Sequence, residues 1–163
     1  MIAKSDRKPA DSDQGLTAVV DALLTASRAL VGVSAKSIAA IDPDVTLPQY
    51  RALVILASHG DMNVGALGDA LAIHRSTATR LCDRLAVKGL ITRATFPDRK
   101  REVFVRLTSQ GRSVVNTVTR RRRNELTRIV KRIDAADRAG VVRAFDVFAE
   151  AAGETPEGQW PMV

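Results

Sequence analysis

The sequence has few of the residues on which most catalytic and metal sites depend. Its 163 residues include one cysteine, two histidines and one tryptophan, and only 4% are aromatic. One cysteine excludes an intramolecular disulfide, and Cys82 with two histidines is too sparse for a structural zinc site. No Gly-rich phosphate loop follows a strand, and neither histidine lies beside a nucleophile motif. We therefore expect a protein that is not an enzyme and needs no cofactor or metal.

Long apolar runs are also scarce. Residues 1–14 are polar and contain Pro9, which predicts a disordered N-terminal arm and no signal peptide. No apolar stretch approaches the roughly 18 residues of a membrane-spanning helix. We therefore expect a cytoplasmic protein that has no membrane partner.

Positive charge is what the sequence has in excess. The formal net charge is +7, and residues 72–107 hold nine Lys or Arg against three Asp or Glu. Less than a quarter of the chain thus carries a net charge of +6. Such a concentration indicates a polyanionic partner, such as nucleic acid, although charge runs are also common on solvated faces.

Apolar residues at helical spacing predict four helices in the first half of the chain. A long helix is expected over 16–41, a second over 49–58, and a short third that Asn63 caps. A fourth is expected from Arg75 to Lys88. Gly89 follows it at the place where a left-handed residue ends a helix.

The second half predicts a hairpin and two more helices. LITRATF and EVFVRLT are β-prone, and the basic segment PDRKR joins them. Thr108 is expected to cap a long helix to about Ile133, and Asp134 to begin the last one. The prediction is a mainly α protein. A winged helix-turn-helix domain with a two-stranded β-wing (46–108) lies between helical dimerisation segments (15–42 and 109–152), and a flexible tail follows (153–163).

Two short helices across a tight turn, followed by a basic hairpin, are the outline of a winged helix-turn-helix. In that arrangement the second helix enters the DNA major groove and packs its inner face on the domain. Four residues at helical spacing form that inner stripe: Ala78, Leu81, Cys82 and Leu85. Because the stripe is apolar, we expect Cys82 to be an inert core residue.

The opposite face of this fourth helix carries short hydroxyls, for base edges, and arginines, for guanine or phosphate. The expected DNA-binding residues are His74, Arg75, Ser76, Thr77, Thr79, Arg80 and Arg84. His74 either caps the helix or faces a phosphate. For an isolated helix this pattern would indicate a solvated amphipathic helix, but its place beside a basic hairpin favours DNA binding.

The hairpin tip supports the same interpretation. Arg99, Lys100 and Arg101 concentrate three positive charges on a short loop, suited to a phosphate backbone or a narrow minor groove. Asp98 is expected to order one of these cations through an ion pair. A second basic run, Arg120–Arg123, covers all sides of the next helix. A solvated face, an acidic effector site and a general attractive field for DNA are all open for it.

The sequence resembles the MarR (multiple antibiotic resistance regulator) family over residues 16–152. The segments that carry the resemblance are LPQYRALVIL, RSTATRLCDRLAVKGLITR, DRKREVFVRLT and LTSQG, in this order. The resemblance implies a homodimeric winged-helix transcriptional regulator, usually a repressor, whose terminal helices form the dimer interface. It also implies that a small, often aromatic compound binding near the hinge can release the DNA.

Carried onto this sequence, the family's recognition positions are Ser76, Thr77, Thr79 and Arg80, and its wing positions are Arg99 and Arg101. The resemblance places an effector pocket between the second helix and the terminal helices, near Tyr50, for a small aromatic or anionic compound. The expected partners are therefore double-stranded DNA, a second copy of the chain and this effector. The alternative is an architectural protein that binds DNA without choosing sequence.

Overall fold

The computed structural model describes residues 9–41, 44–95 and 103–154. Within these residues, six helices and three short strands confirm the predicted mainly α fold with a small antiparallel sheet. The elements are α1 Pro9–Ala39, α2 Leu47–His59, β1 Met62–Asn63, α3 Val64–Ala70, α4 Arg75–Val87, β2 Ile91–Thr95, β3 Val103–Leu107, α5 Ser109–Val130 and α6 Ala135–Ala151.

Hydroxyl and amide side chains cap the starts of α2, α3 and α5. Thr46 and Gln49 form a capping box at α2, in which the Gln49 side-chain oxygen accepts a hydrogen bond from the Thr46 N–H at 3.0 Å. Asn63 Oδ1 accepts the Ala66 N–H at 2.8 Å, and Thr108 Oγ1 accepts the Gly111 N–H at 3.0 Å. The predictions that Asn63 and Thr108 are helix caps are therefore confirmed.

The turn between α3 and α4 brings these two helices into close contact. A Cβ added at Gly68 would lie 3.2 Å from the Ala78 Cβ and 3.3 Å from the Ile73 carbonyl oxygen. Ala72 in the turn has a φ of 54°, a left-handed conformation that costs a non-glycine residue about 1–2 kcal/mol. The two helices approach so closely because position 68 has no side chain.

Gly89 ends α4 and turns the chain into the sheet. Its φ of 68° and the hydrogen bond from the Leu90 N–H to the Leu85 carbonyl oxygen form a left-handed stop, as predicted. β2 and β3 then pair antiparallel, with Ile91 opposite Leu107. β1 pairs with the other edge of β3 and gives the order β1-β3-β2. The sequence prediction missed β1, because two residues are too short to show alternation.

The core lies between the helix-turn-helix, the sheet and the first half of α5. Each of these elements contributes a side chain with no exposed surface: Leu53, Leu67, Leu85, Val105 and Val118. α1 joins this core only near its C-terminal end, through Ile38 and two serines whose hydroxyls donate to carbonyl oxygens four residues earlier. Most of α1 therefore extends beyond the core.

Two expectations about the N-terminal region are wrong. α1 begins at Pro9, so residues 9–14 are helical rather than a disordered arm. Proline fits the first turn of a helix because its missing N–H would have no partner there. The second wrong expectation is that no apolar stretch approaches the length of a membrane-spanning helix. Asp13–Ala39 is long and apolar enough to cross a membrane, with a mean hydropathy of 1.6. Length and composition alone assign no membrane here, since core helices of soluble proteins and signal sequences have the same properties.

Residues 1–8 of the predicted arm and 155–163 of the predicted tail lie outside the described residues. At the start of that tail, Glu154 forms an ion pair with Arg51 of α2, at 3.5 Å.

We predict that Gly111→Ala destabilises the protein. A Cβ at Gly111 would lie 2.1 Å from the Leu90 carbonyl oxygen, so backbone must shift, and such overpacking costs about 1–3 kcal/mol. Gly140→Ala in α6 is the matched control. Nothing lies within 4 Å of its added Cβ, and alanine favours helix by up to about 1 kcal/mol. Thermal unfolding followed by circular dichroism should give Gly111→Ala the lowest midpoint temperature, and Gly140→Ala a midpoint at or above that of the wild type. The reverse order would contradict the packing described here.

Candidate nucleic-acid interface

The N-terminus of α4 is capped by a histidine. His74 Nδ1 accepts a hydrogen bond from the Ser76 N–H at 3.3 Å and lies 2.9 Å from the Ser76 hydroxyl oxygen. The bond from the backbone N–H requires that Nδ1 carry no proton. Of the two roles expected for His74, the structure thus supports the cap. The contact also orients Ser76 at the first turn of the helix.

α4 presents two different faces, as the sequence predicted. The inner stripe, from Ala78 to Leu85, is buried. All seven residues expected to contact DNA are exposed: His74, Arg75, Ser76, Thr77, Thr79, Arg80 and Arg84. Within the described part of the chain, the side chains of Arg75, Arg80 and Arg84 form no hydrogen bond or ion pair. These three guanidinium groups are therefore available to an external ligand.

Cys82 lies on the inner stripe and is completely buried. Burial is the main reason that the pKa of its thiol lies above the ordinary value of 9.0. Nearby Arg93 opposes this shift and Asp83 adds to it. The thiol is thus protonated at neutral pH and weakly nucleophilic. This agrees with the expectation that Cys82 packs in the core.

Arg93 connects the sheet to α4. Its guanidinium pairs with the Asp83 carboxylate at 2.7 Å and donates to the Thr79 carbonyl oxygen at 3.3 Å. One side chain on β2 thereby holds two positions of the helix. Sequence reasoning counted Arg93 only as part of the positive charge and missed this positioning role. The opposite charges of Asp83 and Arg93, ten residues apart, were the available signal, but spacing alone does not show that they meet.

The tip of the predicted wing lies outside the described residues, which resume at Val103. The predicted contacts of Arg99, Lys100 and Arg101, and the ordering role of Asp98, therefore stay predictions. The last described pair before the tip is Thr95 opposite Val103, the outermost rung of the β2–β3 hairpin.

Arg106 fixes the other side of the sheet. From β3 it hydrogen-bonds the Asp61 carboxylate through Nε at 2.8 Å and through a second bond from Nη2. The hydrogen bond from Arg106 is the main reason that the pKa of Asp61 lies below its ordinary value of 3.8, and desolvation opposes it. This pair joins the loop after α2 to the middle strand.

Tyr50 is buried, and its hydroxyl lies 3.3 Å from the Thr119 hydroxyl of α5. Thr119 also lines a cavity of about 400 Å³ beside α5, but Tyr50 is not among the residues that line this cavity. In the run Arg120–Arg123, Arg122 and Arg123 line the cavity, while Arg120 and Arg121 are exposed outside it. Among the described residues, no three His, Cys, Asp or Glu side chains form a metal-binding group.

The exposed arginine-rich face of α4, its tight turn after α3 and the sheet beside it define a winged helix-turn-helix DNA-binding protein. Comparison with known proteins agrees. The MarR family model matches residues 45–103, from the loop before α2 to the start of β3. An uncharacterized HTH-type transcriptional regulator of Mycobacterium bovis is 30% identical over 112 residues, which cover 69% of this chain and 78% of that protein.

Solved structures extend the similarity over almost the whole described chain. The crystal structure of RV1404 from Mycobacterium tuberculosis is 46% identical, has a TM-score of 0.82, and covers 87% of this chain and 97% of that one. A MarR family protein from Bacillus stearothermophilus shares the fold, at 24% identity and a TM-score of 0.73, over 86% of this chain and 98% of that one. This chain belongs to the MarR family and is a DNA-binding transcriptional regulator.

We predict that Asp61→Asn reduces the loss of stability in acid. Because the folded-state pKa of Asp61 is depressed, its pair with Arg106 stabilises the fold above the ordinary value of 3.8 and is lost as the pH falls through the lower folded-state value. The variant should therefore show a flatter pH dependence of the free energy of unfolding below pH 3.8, measured by urea titration. Asp69→Asn, at an exposed α3 position without an ion pair among the described residues, is the control. An unchanged acid dependence in Asp61→Asn would contradict the prediction.

Proposed function

We propose that this protein is a sequence-specific regulator, and a repressor, that binds a pseudo-palindromic operator as a homodimer in the cytoplasm. A small aromatic or anionic effector releases it from the operator. The single observation that carries the proposal is the exposed outer face of α4. There, three arginines without partners among the described residues accompany short hydroxyls at the start of a helix whose other face is buried.

In this proposal α4 enters the major groove with its first turn leading. Ser76, Thr77 and Thr79 reach base edges, and Arg80 reads guanine through a bidentate contact. Arg75 and Arg84 lie toward the phosphates on either side of the major groove. The wing residues Arg99, Lys100 and Arg101 follow the backbone or the adjacent minor groove, and Asp98 orders one of these cations.

The homodimer is supported by the amount of apolar surface that the helices outside the core expose. α1, the end of α5 and α6 expose twelve large apolar side chains among the described residues: Leu16, Val19, Val20, Leu24, Leu30, Val31, Ile129, Val130, Val142, Phe145, Val147 and Phe148. An apolar groove of about 280 Å³ between Leu24, Leu30 and Phe148 continues this surface. α6 has no buried residue. Contiguous apolar surface of this kind marks an interface, and a second copy is the partner that a twofold operator requires.

We predict that Arg80→Ala weakens operator binding by about 1–3 kcal/mol and relaxes base preference at one position of each half-site. Binding titrations on operator and on random DNA measure both effects. Arg132→Ala is the matched control, since Arg132 is an exposed arginine in the turn after α5. Equal losses on both DNAs would make Arg80 a phosphate contact and would contradict the proposed reading role.

A sequence-independent architectural protein is the alternative function. Selection of genomic fragments by the full-length protein distinguishes the two. A regulator should enrich a few sites with half-sites about one helical turn apart and bind them about 10³-fold or more tighter than random DNA. Uniform recovery of fragments would support the architectural role and contradict the proposed sequence-specific one.

We predict a solution mass of twice the 17.6 kDa chain. Leu24→Asp, on the apolar surface of α1, should shift the protein toward monomer, because a charge buried in an apolar interface has no compensating partner. Val87→Asp is the control, because Val87 is 89% exposed on α4, outside this surface. Sedimentation equilibrium measures both. A wild-type monomer at micromolar concentration would contradict the dimer.

A further inference from the structure

Two of the hydroxyl groups on the outer face of α4 are engaged in hydrogen bonds within the protein. Thr79 Oγ1 donates to the Arg75 carbonyl oxygen at 3.0 Å. The Ser76 hydroxyl oxygen lies 2.9 Å from His74 Nδ1. A hydroxyl has one hydrogen and two lone pairs, so a hydroxyl that already donates can only accept from a further partner. The direction of each bond therefore decides what the oxygen offers to DNA.

The contact between Ser76 and His74 has a defined direction. The Ser76 backbone N–H also points to Nδ1, at 3.3 Å, and an N–H can only donate. Nδ1 therefore carries no hydrogen, and a neutral imidazole of this form carries its hydrogen on Nε2. Because Nδ1 offers only a lone pair, the Ser76 hydroxyl is the donor in the 2.9 Å contact. The Ser76 oxygen is then left with lone pairs alone.

The contacts with Ser76 are the side-chain hydrogen bonds that His74 forms in the described part of the chain. The charged side chains on the elements around the ring are Asp69 of α3, Arg75 and Arg80 of α4, and Arg93 of β2. Among the described residues, none of these four is bonded to the imidazole, and Arg93 is engaged by Asp83. A change in the charge of His74 therefore acts on Ser76 first.

An oxygen that can only accept distinguishes between bases. In the major groove, adenine N6 and cytosine N4 are amino groups that donate, whereas guanine O6 and thymine O4 are carbonyl oxygens that accept. An acceptor binds the first pair of groups, and with the second pair it brings two lone pairs together. Ser76 and Thr79 lie three residues apart, so they are neighbours on one helix face and present two such acceptors to DNA.

A proton on His74 Nδ1 would reverse the Ser76 contact. The ring N–H would donate to the Ser76 oxygen, and the hydroxyl hydrogen would become free to donate to a base. Histidine ordinarily changes charge between about pH 5 and 8. Thr79 cannot change in this way, because its acceptor is a backbone carbonyl oxygen that does not titrate.

From these contacts we infer that His74 determines which bases Ser76 selects: beside a neutral ring Ser76 accepts from an adenine or cytosine amino group, and beside a protonated ring it also donates to a guanine or thymine carbonyl oxygen. Ser76 contacts the base, and His74 is a positioning residue that acts through Ser76. The inference rests on the proposed function, since it requires an operator whose bases α4 reads. The regulator would then lose base discrimination at one position of each half-site in acid.

The first test needs no DNA. Nitrogen-15 NMR of the full-length protein at about pH 8 shows which imidazole nitrogen carries the hydrogen. The chain has two histidines, and the signals that disappear in His74→Asn belong to His74. We expect Nδ1 without a hydrogen and Nε2 with one. A neutral ring with its hydrogen on Nδ1 would overturn the inference, whether or not an operator exists.

The second test finds the base that Ser76 contacts in the operator from the genomic selection. Purine in place of adenine, or pyrimidin-2-one in place of cytosine, removes only the amino group. At one position of each half-site this removal should weaken binding of the wild type about threefold or more and leave binding of Ser76→Ala nearly unchanged. If no amino group depends on Ser76 in this way, the inference is wrong.

The third test measures the cost of a transition at that position, A·T to G·C or the reverse, which replaces the amino group by a carbonyl oxygen. At about pH 8 the wild type should bind the changed operator about tenfold or more weakly. His74→Ala should reduce this difference to within about threefold, because the Ser76 hydroxyl is free to donate. His74→Asn should keep the full difference, because its amide oxygen can take the place of Nδ1 as the acceptor.

The same ratio of affinities is then measured at about pH 5.5. A general gain of positive charge in acid, or a weaker helix cap, changes binding to both DNAs and cancels in the ratio. The transition cost should fall about threefold or more in the wild type and stay constant in His74→Asn. His59→Asn is the matched control, since His59 is exposed at the end of α2, and it should respond to acid as the wild type does.

An equal transition cost in the wild type and His74→Ala, or equal responses of the wild type and His74→Asn to acid, would overturn the inference. If His74→Ala does not fold by circular dichroism, the wild type at the two pH values still decides. Failure of the genomic selection would contradict the proposed function and leave the NMR result standing. A wrong tautomer in the NMR experiment would overturn the inference and leave operator binding untouched, so the two proposals fail separately.

Discussion

The fold depends on the close packing of α4 against α3. α4 can present hydroxyls and arginines to solvent only if its other face is held, and the held face is a short stripe from Ala78 to Leu85. The missing side chain at Gly68 lets the Ala78 methyl approach, and Ala72 takes a left-handed conformation to close the turn. This contact holds α4 so that its arginine-bearing face is left exposed.

Ion pairs at the sheet then fix that face relative to the wing. Arg93 binds Asp83 and the Thr79 carbonyl from β2, and Arg106 binds Asp61 from β3. Neither arginine belongs to the outer face of α4: Arg93 holds α4 to β2, and Arg106 holds β3 to the loop after α2. A second group of positive charges lies along α5 and the start of α6, where residues 112–143 hold ten Lys or Arg and three Asp or Glu.

The sequence predicted the helices and the hairpin well, because their signals are local. Asn63 and Thr108 cap the helices they were expected to cap, and Gly89 ends α4 with a positive φ. The failures also have local causes. β1 is too short to show a pattern. A polar segment with a proline at residue 9 predicts disorder, although proline is compatible with a first helical turn. The apolar residues of α1 predict one apolar stripe along the helix. Their spacing does not reveal that Asp13–Ala39 as a whole has a mean hydropathy of 1.6 and is long and apolar enough to cross a membrane.

By itself, the sequence determined which side chains of α4 face outward and which face inward, since helical spacing fixes the two faces once the helix forms. It also determined the caps, the left-handed stop and the excess of positive charge. Only the tertiary structure decided which of these charges are engaged. Arg93 and Arg106 pair with acids, Arg80 pairs with none among the described residues, and Arg122 lines a cleft with a buried N–H that lacks an acceptor. Hydrogen bonds and cavities between distant segments arise from packing, and no spacing along the chain encodes them.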